Sequence, residues 1–214
     1  CGNSGTTIRL MLGLLSGKNI SAEFFGDKSL INRPMSRVTI PLGVMGADIN
    51  SNNGFLPIKI ISNHLYGIDY TQKVASAQVK SAILLAGIGA DGTTTVRENI
   101  LSRNHTELMM KHMGINIDIG DDYCSVKRND HFLEPIKINI PGDPSTASFF
   151  AVAALLLKKR IILKNILGNP TRVGFFSILK EIGVKVKWLK KEIHYGEIIG
   201  DLSIDGKAIL GIDI

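Results

Sequence analysis

The chain has 214 residues, of which 44% are apolar, and carries a formal net charge of +6 at pH 7. This length allows a sizeable core in one large or two small domains, and no apolar stretch is long enough to span a membrane. Two cysteines without CxxC spacing predict neither a disulfide framework nor a zinc site, and they suit a reducing, cytosolic compartment.

The basic balance is typical of an ordinary soluble protein. Binding of an anionic substrate is the second interpretation of this charge, and a nucleic-acid-binding surface is the third. The basic residues are scattered, and their densest run, residues 185–191, alternates with apolar residues. That alternation predicts a strand with one solvated face.

Residues 2–9, with the sequence GNSGTTIR, form a small-residue turn before an apolar run. The pattern predicts a helix over residues 6–17. Its first N–H groups and the close approach allowed by Gly5 favour a bound phosphate or carboxylate. Capping by Ser4 or Thr6 is an equally ordinary role for these hydroxyls and is compatible with an anion site.

Residues 32–35, NRPM, place Arg33 in a turn, where it is either a solvated charge or a bidentate anion ligand. A helix over residues 37–45 follows. Residues 58–61 and 66–70 alternate like strands and predict a hairpin.

A second apolar helix is predicted over residues 76–87. Ser76 is either its N-cap or a phosphate ligand. Lys80 lies two residues beyond Gln78 and therefore on another helix face, which leaves it outside the predicted site. Ser102 and Arg103 precede the next helix, residues 105–113, and form either a third helix-start site or an exposed loop.

The last third begins with Asp143 as the predicted cap of an apolar helix over residues 145–157. Arg172 is interpreted as a turn residue. A hairpin is predicted between residues 193–195 and 198–200. The five histidines show no metal-ligand spacing, so no metal is expected.

These elements repeat with a period of about 70 residues. The apolar helices should be buried, since they are apolar nearly all round. The amphipathic helices, the last over residues 174–182, each end at a glycine, the usual left-handed residue after a helix. These glycines are Gly46, Gly114 and Gly183. The repeat unit is strand, buried helix, strand, amphipathic helix and two strands, with units near residues 2–68, 69–138 and 139–214.

With the opening motif and the repeat, the chain resembles the 5-enolpyruvylshikimate-3-phosphate synthase family. Five motifs in order carry the resemblance. They are residues 2–9, 32–35, 76–82 (SAQVKSA), 141–148 (PGDPSTAS) and 169–174 (NPTRVG).

The resemblance implies an α/β fold of six βαβαββ units in two inside-out α/β barrel domains, with the active site in the cleft between them. About three of the six units are present. Residues 1–138 would hold two units of the first domain, and residues 139–214 about one unit of the second. Family chains are roughly twice this length, so the resemblance implies that the activity belongs to a longer parent protein and that this chain alone is inactive.

The implied reaction transfers the enolpyruvyl group of phosphoenolpyruvate to the 5-hydroxyl of shikimate-3-phosphate and releases phosphate. It belongs to the shikimate pathway of aromatic amino-acid biosynthesis and needs no metal or cofactor. The implied partners are these two anionic substrates, with no nucleic acid or membrane, and the parent is expected to be a cytoplasmic monomer.

The resemblance also implies roles for individual residues. We expect no catalytic group within this chain. Asn3 and Arg9 are supporting residues, and Arg9 either backs the phosphate site or pairs with a carboxylate. The substrate ligands implied are Gly5, Thr6, Arg33 and Gln78 for phosphoenolpyruvate, and Ser76, Ala77, Gln78, Ser102 and Arg103 for shikimate-3-phosphate.

Two alternatives remain at this point. UDP-N-acetylglucosamine enolpyruvyl transferase shares the fold and type of chemistry, but its members lack the first and third motifs. A non-catalytic nucleic-acid-binding array of βαβαββ units fits the basic charge, although no aromatic-rich basic strand face is present.

Overall fold

The computed structural model describes residues 1–61, 63–131, 133 and 136–207 of the chain. The chain divides into two compact units, Cys1–Glu134 and Pro135–Ile214. That these units belong to the two domains of the family stays a prediction.

The first unit contains two successive repeats. The first repeat comprises α1 (Gly5–Gly17), β1 (Ala22–Phe24), α2 (Ser36–Val44), β2 (Asp48–Asn52) and β3 (Phe55–Ile61). The second comprises β4 (Asp69–Thr71), α3 (Ala77–Gly87), β5 (Thr93–Arg97), α4 (His105–His112), β6 (Ile117–Ile119) and β7 (Tyr123–Lys127).

The second unit contains one repeat. Its elements are α5 (Pro144–Leu156), β8 (Arg160–Leu167), α6 (Gly174–Glu181), β9 (Lys185–His194) and β10 (Glu197–Asp205).

The three repeats share one sheet topology. The sheets have the orders β1-β3-β2, β4-β5-β7-β6 and β8-β10-β9. The first and last match the β5-β7-β6 part of the middle sheet, where β4 pairs with β5 in parallel. In the second unit an isolated parallel bridge between Gly142 and Ile166 occupies the corresponding place. The predicted repeat unit is therefore found in full in the middle repeat.

Glycines end the amphipathic helices as the sequence predicts. Gly46, Gly114 and Gly183 have φ angles of 104°, 78° and 85°. These left-handed conformations are easily accessible only to glycine, so each residue stops its helix and turns the chain into a strand.

Helices α1 and α3 pack against each other within the core of the first unit, which also includes residues of α2 and of the sheets. Ile8 and Leu12 of α1 and Ala82 and Ile83 of α3 are fully buried. A Cβ atom on Gly13 would lie 2.1 Å from the carbonyl oxygen of Ala82. The two helices thus pack backbone against backbone, which brings their N-terminal ends together.

The predicted hairpin between residues 58–61 and 66–70 is wrong. Strand β3 pairs instead with β2, through a turn in which Asn53 and Gly54 have φ angles of 52° and 82°. Strand β4 opens the next repeat and runs parallel to β5. The Asn-Gly dipeptide, a strong signal for a two-residue hairpin turn, would have located the true partner. The hairpin predicted for residues 193–200 is confirmed as β9–β10.

The expected burial of the third apolar helix is also wrong. In α5 the small residues Ala147, Ala151 and Ala154 are buried, whereas Phe149 and Leu156 are 77% and 79% exposed. Helices α1 and α3 cover each other, but the described part of the second unit holds only one helix of this type. The apolar outer face of α5 consequently faces solvent.

Candidate active site

The first cluster of predicted site residues surrounds the start of α1. Ser4 is the N-cap, and its hydroxyl oxygen accepts a hydrogen bond from the Thr7 N–H at 3.1 Å. Gly5 is the first helical residue. A Cβ atom there would lie 2.8 Å from Nη1 of Arg9 and 3.5 Å from Nη1 of Arg33. Gly5 therefore leaves open the space between two guanidinium groups.

Arg9 and Arg33 form no ion pair with a carboxylate in the described part of the chain. Arg9 donates instead to the carbonyl oxygens of Gly5 and Pro34, each at 3.3 Å. Burial lowers the pKa of Arg9 first, and the positive charges of Arg33 and Arg37 lower it further. Of the two possibilities for Arg9 this geometry favours support of an anion site, because two cations that form no carboxylate salt bridge within the described residues lie beside a helix start, where a phosphate or carboxylate is attracted.

Arg37 belongs to this positive region, although the sequence analysis did not select it. It is exposed at the second position of α2, and its charge acts on Arg9. The spacing of four residues from Arg33 was the only sequence signal that could have found it.

Asn3 holds Arg33 in place. Its side-chain oxygen accepts a hydrogen bond from Nη2 of Arg33 at 2.6 Å, and Ser29 Oγ accepts a second at 3.1 Å. The amide nitrogen of Asn3 donates to Asp27, whose other carboxylate oxygen caps the turn at Ser29 and Leu30. Asn3 thus braces the turn and fixes the guanidinium.

Gln78 joins the starts of α1 and α3. Its side-chain oxygen accepts a hydrogen bond from Arg9 Nη1 at 2.9 Å, and its amide nitrogen donates to Thr6 Oγ1 at 2.7 Å. The structure therefore brings the residues predicted for phosphoenolpyruvate and its support together around the start of α1, in two hydrogen-bonded groups that meet at Gly5: Arg33 with Asn3, and Arg9 with Gln78 and Thr6.

The second cluster lies at the starts of α3 and α4. Ser76 is the N-cap of α3, with its hydroxyl oxygen 3.5 Å from the Val79 nitrogen, and Ala77 is the first helical residue. The Ser102 hydroxyl donates to Oε1 of Glu98 at 2.5 Å. The Arg103 side chain is exposed and makes no hydrogen bond within the described residues. Its guanidinium is available to a ligand.

Lys80 is buried beside this cluster and is only 3% exposed. Its Nζ lies 2.6 Å from Oε2 of Glu98 and 2.7 Å from Oε1 of Glu107. Burial by itself lowers the pKa of Lys80, but the hydrogen bonds and charges of Glu107 and Glu98 outweigh it and raise the pKa above its usual value. The sequence placed Lys80 outside the site, but its partner Glu98 is bonded to the predicted ligand Ser102. A lysine within an otherwise apolar helix was the available signal, because a buried lysine needs carboxylate partners.

Within the described residues, no three or more His, Cys, Asp or Glu side chains form a group able to hold a metal ion. No helix in that part of the chain is long and apolar enough to cross a membrane.

The family model of EPSP synthase (3-phosphoshikimate 1-carboxyvinyltransferase) matches residues 1–209. A curated 3-phosphoshikimate 1-carboxyvinyltransferase from Sulfurihydrogenibium sp. (strain YO3AOP1) is 48% identical over 220 residues, which cover 100% of this chain and 51% of that protein. The protein of the same name from Bacillus subtilis (strain 168) is 44% identical over 217 residues, covering 100% of this chain and 50% of that protein.

A solved structure of EPSP synthase from Acinetobacter baumannii superimposes with a TM-score of 0.89 at 39% sequence identity, covering 99% of this chain and 48% of that one. The fold class predicted from the sequence is confirmed by this match. The chain spans about half the length of the curated relatives it matches.

Proposed function

The chain belongs to the EPSP synthase family, and we propose that a whole protein containing it transfers the enolpyruvyl group from phosphoenolpyruvate to the 5-hydroxyl of shikimate-3-phosphate. The observation that carries the proposal is the position of two guanidinium groups, those of Arg9 and Arg33, which flank Gly5 at the start of α1 and form no carboxylate salt bridge within the described residues. Phosphoenolpyruvate offers the phosphate and carboxylate that such groups bind.

The two clusters suit two anionic substrates held side by side. Gly5, Thr6 and Arg33 bind phosphoenolpyruvate, with Asn3 and Arg9 as supports. Ser76 and the Ala77 N–H bind the phosphate of the second substrate at the start of α3. Gln78 lies in the first turn of α3, which Ser76 caps, and is hydrogen-bonded to Thr6 at the start of α1, so it contacts both substrates.

Ser102 and Arg103 complete the binding of shikimate-3-phosphate. The exposed Arg103 supplies a charged donor, and Ser102 supplies a hydroxyl at the start of the α4 segment. Ala77 offers no hydroxyl, so the phosphate relies on its neighbours.

The reaction needs charge stabilisation and orientation more than any single reactive group. The 5-hydroxyl oxygen attacks C2 of phosphoenolpyruvate and gives up its proton, while C3 gains a proton. Loss of phosphate and of a proton from C3 then restores the double bond in the enol ether. Preorganised guanidinium groups stabilise the phosphate charge as it develops, and holding both substrates in contact supplies much of the rate. We assign no proton transfer to the candidate residues of this chain.

The test is phosphate release from phosphoenolpyruvate by the whole protein, with the enol ether product identified by mass spectrometry. We expect release only when shikimate-3-phosphate is present, and none from the 214-residue chain alone. A whole protein that is inactive, or that accepts UDP-N-acetylglucosamine instead, would overturn the proposal. Turnover by the chain alone would overturn the expectation that its activity requires the longer protein.

The proposal also covers the oligomeric state, location and cofactor requirement of the enzyme. The resemblance supports a monomer in the cytoplasm that works without a cofactor, and its substrates are small anions rather than nucleic acid or lipid. Gel filtration of the active protein tests the monomer, and dialysis against a chelator tests independence from metal ions.

A further inference from the structure

A buried polar network lies directly behind the serines of the second cluster. Thr71 and Arg97 are register partners at the carboxyl ends of the parallel strands β4 and β5, so the next residues, Gln72 and Glu98, lie side by side. The amide nitrogen of Gln72 donates to Oε1 of Glu98 at 3.0 Å. Gln72 and Glu98 are 3% and 5% exposed, which places this hydrogen bond in the interior.

Glu98 connects the elements that carry the two serines. Its Oε1 accepts from Gln72 and from the Ser102 hydroxyl, and its Oε2 accepts from Lys80 and from the Ser102 N–H at 3.4 Å. The other end of Gln72 accepts the Ser76 N–H at 3.1 Å. A continuous chain of hydrogen bonds therefore joins Ser76 to Ser102 through Gln72 and Glu98.

The arrangement is more than a source of stability. Buried ion pairs contribute little net stability compared with apolar residues of similar volume, so their placement needs another explanation. Lys80 is shared by Glu98 and Glu107, and the second oxygen of Glu107 is buried without a hydrogen-bond partner in the described part of the chain. The network thus places buried charges directly behind the two proposed phosphate ligands, Ser76 and Ser102.

The Ser102 hydroxyl has one proton, and in this structure Glu98 accepts it. A phosphate dianion would have to take that hydrogen bond from Glu98. Glu98 would then retain Gln72, Lys80 and the Ser102 N–H as donors, so the carboxylate stays satisfied after the exchange. Lys80 places one positive charge between the carboxylates of Glu98 and Glu107, which reduces the negative charge that faces the arriving phosphate.

We propose that Lys80, Glu98 and Gln72 are positioning residues that align Ser76 and Ser102 for the phosphate of shikimate-3-phosphate. This inference rests on the proposed function, because it assumes that the two serines bind that substrate. The residues act through the serines and do not touch the substrate themselves. Substituting them should therefore weaken the binding of shikimate-3-phosphate more than the binding of phosphoenolpyruvate.

The experiment compares Glu98→Gln and Gln72→Met with the unchanged whole protein in steady-state kinetics. We expect the KM for shikimate-3-phosphate to rise about tenfold, as for a lost hydrogen bond to a charged group, and the KM for phosphoenolpyruvate to change much less. Gln72→Met retains size and removes no charge, so it remains informative if Glu98→Gln fails to fold. The matched control is Asp69→Asn, which loses an exposed ion pair to Arg97 on the same two strands.

A double-mutant cycle with Ser102→Ala separates positioning from general stability. If Glu98 acts through Ser102, Glu98→Gln should add little to the KM change in the Ser102→Ala background. Additive effects, or equal changes in both KM values, would overturn this inference while leaving the proposed function intact. An unchanged whole protein that does not use shikimate-3-phosphate would overturn the proposed function instead.

Discussion

Arg33 is the residue on which binding of phosphoenolpyruvate should depend most. Its guanidinium is fixed by Asn3 and Ser29 but has no carboxylate partner in the described residues, so its charge is available to a ligand. We expect Arg33→Ala to lower kcat/KM for phosphoenolpyruvate. The fall should correspond to a loss of about 2–4 kcal/mol of transition-state stabilisation, measured by steady-state kinetics on the whole protein.

The matched control for Arg33→Ala is Arg128→Gln. Arg128 is already paired with Asp91 and Asp130 and lies outside the predicted site. That variant should leave kcat/KM within about twofold, since exposed ion pairs contribute little. Near-normal kinetics for Arg33→Ala would refute the role of Arg33.

Gly5 tests the space between the two arginines. In Gly5→Ala the new methyl group would lie 2.8 Å from Arg9 Nη1, in the volume assigned to the anion. We expect the KM for phosphoenolpyruvate to rise about tenfold, with thermal stability nearly unchanged because a flexible side chain can move aside. Gly43→Ala is the control, since nothing lies within 4 Å of its added Cβ. An unchanged KM in Gly5→Ala would place the anion elsewhere.

Cys124 should be inert in the folded chain. Burial, followed by the negative charge of Glu107, raises the pKa of its thiol to about 12, and the thiolate is the reactive form. Near pH 8 a thiol reagent should therefore modify only the exposed Cys1, and denaturant should release the second thiol. Equal, rapid reaction of both thiols in the native chain would contradict the burial of Cys124.

The residues of the site were predictable to the extent that they act through charge type and backbone position. Arg33 and Gly5 stand out because a turn, a small residue and a cation are visible in sequence. The role of Lys80 was not predictable from the sequence. It depends on Glu98 and Glu107, which tertiary packing brings to Lys80 from other parts of the chain. Which substrate each serine binds comes from the resemblance alone and stays a prediction.

At the scale of elements, helix stops were predictable and strand partners less so. Gly46 and Gly114 end their helices because the left-handed conformation is a local property of glycine. The Asn53–Gly54 turn joins β3 to β2, whereas the crossover through α3 joins β4 to β5 and keeps β4 away from β3. Alternation alone marks residues 58–61 as a strand but does not say which neighbour it joins.

Gly13 tests the contact that aligns the starts of α1 and α3. A Cβ at this position would lie 2.1 Å from the backbone oxygen of Ala82, so the helices must separate in Gly13→Ala. We expect the free energy of unfolding to fall by about 1–3 kcal/mol in urea denaturation, as for other overpacked cores.

The control for Gly13→Ala is Gly43→Ala, on the exposed face of α2, which should be neutral or stabilising. Separation of the helices should also disturb the hydrogen bond between Gln78 and Thr6, so the whole protein would bind phosphoenolpyruvate less tightly. Unchanged stability would mean that α1 and α3 are not in backbone contact.

At the scale of the whole molecule, the two units differ in how completely they bury their apolar surface. In the first unit α1 and α3 contribute buried residues to one shared core. In the second unit the core lies between α5, α6 and the sheet, and one side of α5 lies outside it. The candidate site residues all belong to the first unit, so the second contributes none that the sequence analysis selected.

The exposed side of α5 leads to the last prediction, which concerns the 214-residue chain itself. Phe149, Val152 and Leu156 lie three or four residues apart and form one apolar stripe that faces solvent. A continuous apolar surface on a helix favours association with a similar surface. The isolated chain should therefore self-associate as its concentration rises, measured by light scattering after gel filtration. Phe149→Glu with Leu156→Lys should shift it towards the monomer, whereas Ile193→Lys, at a single exposed position on β9, should not. A chain that stays monomeric at every concentration measured would show that this stripe alone does not drive association.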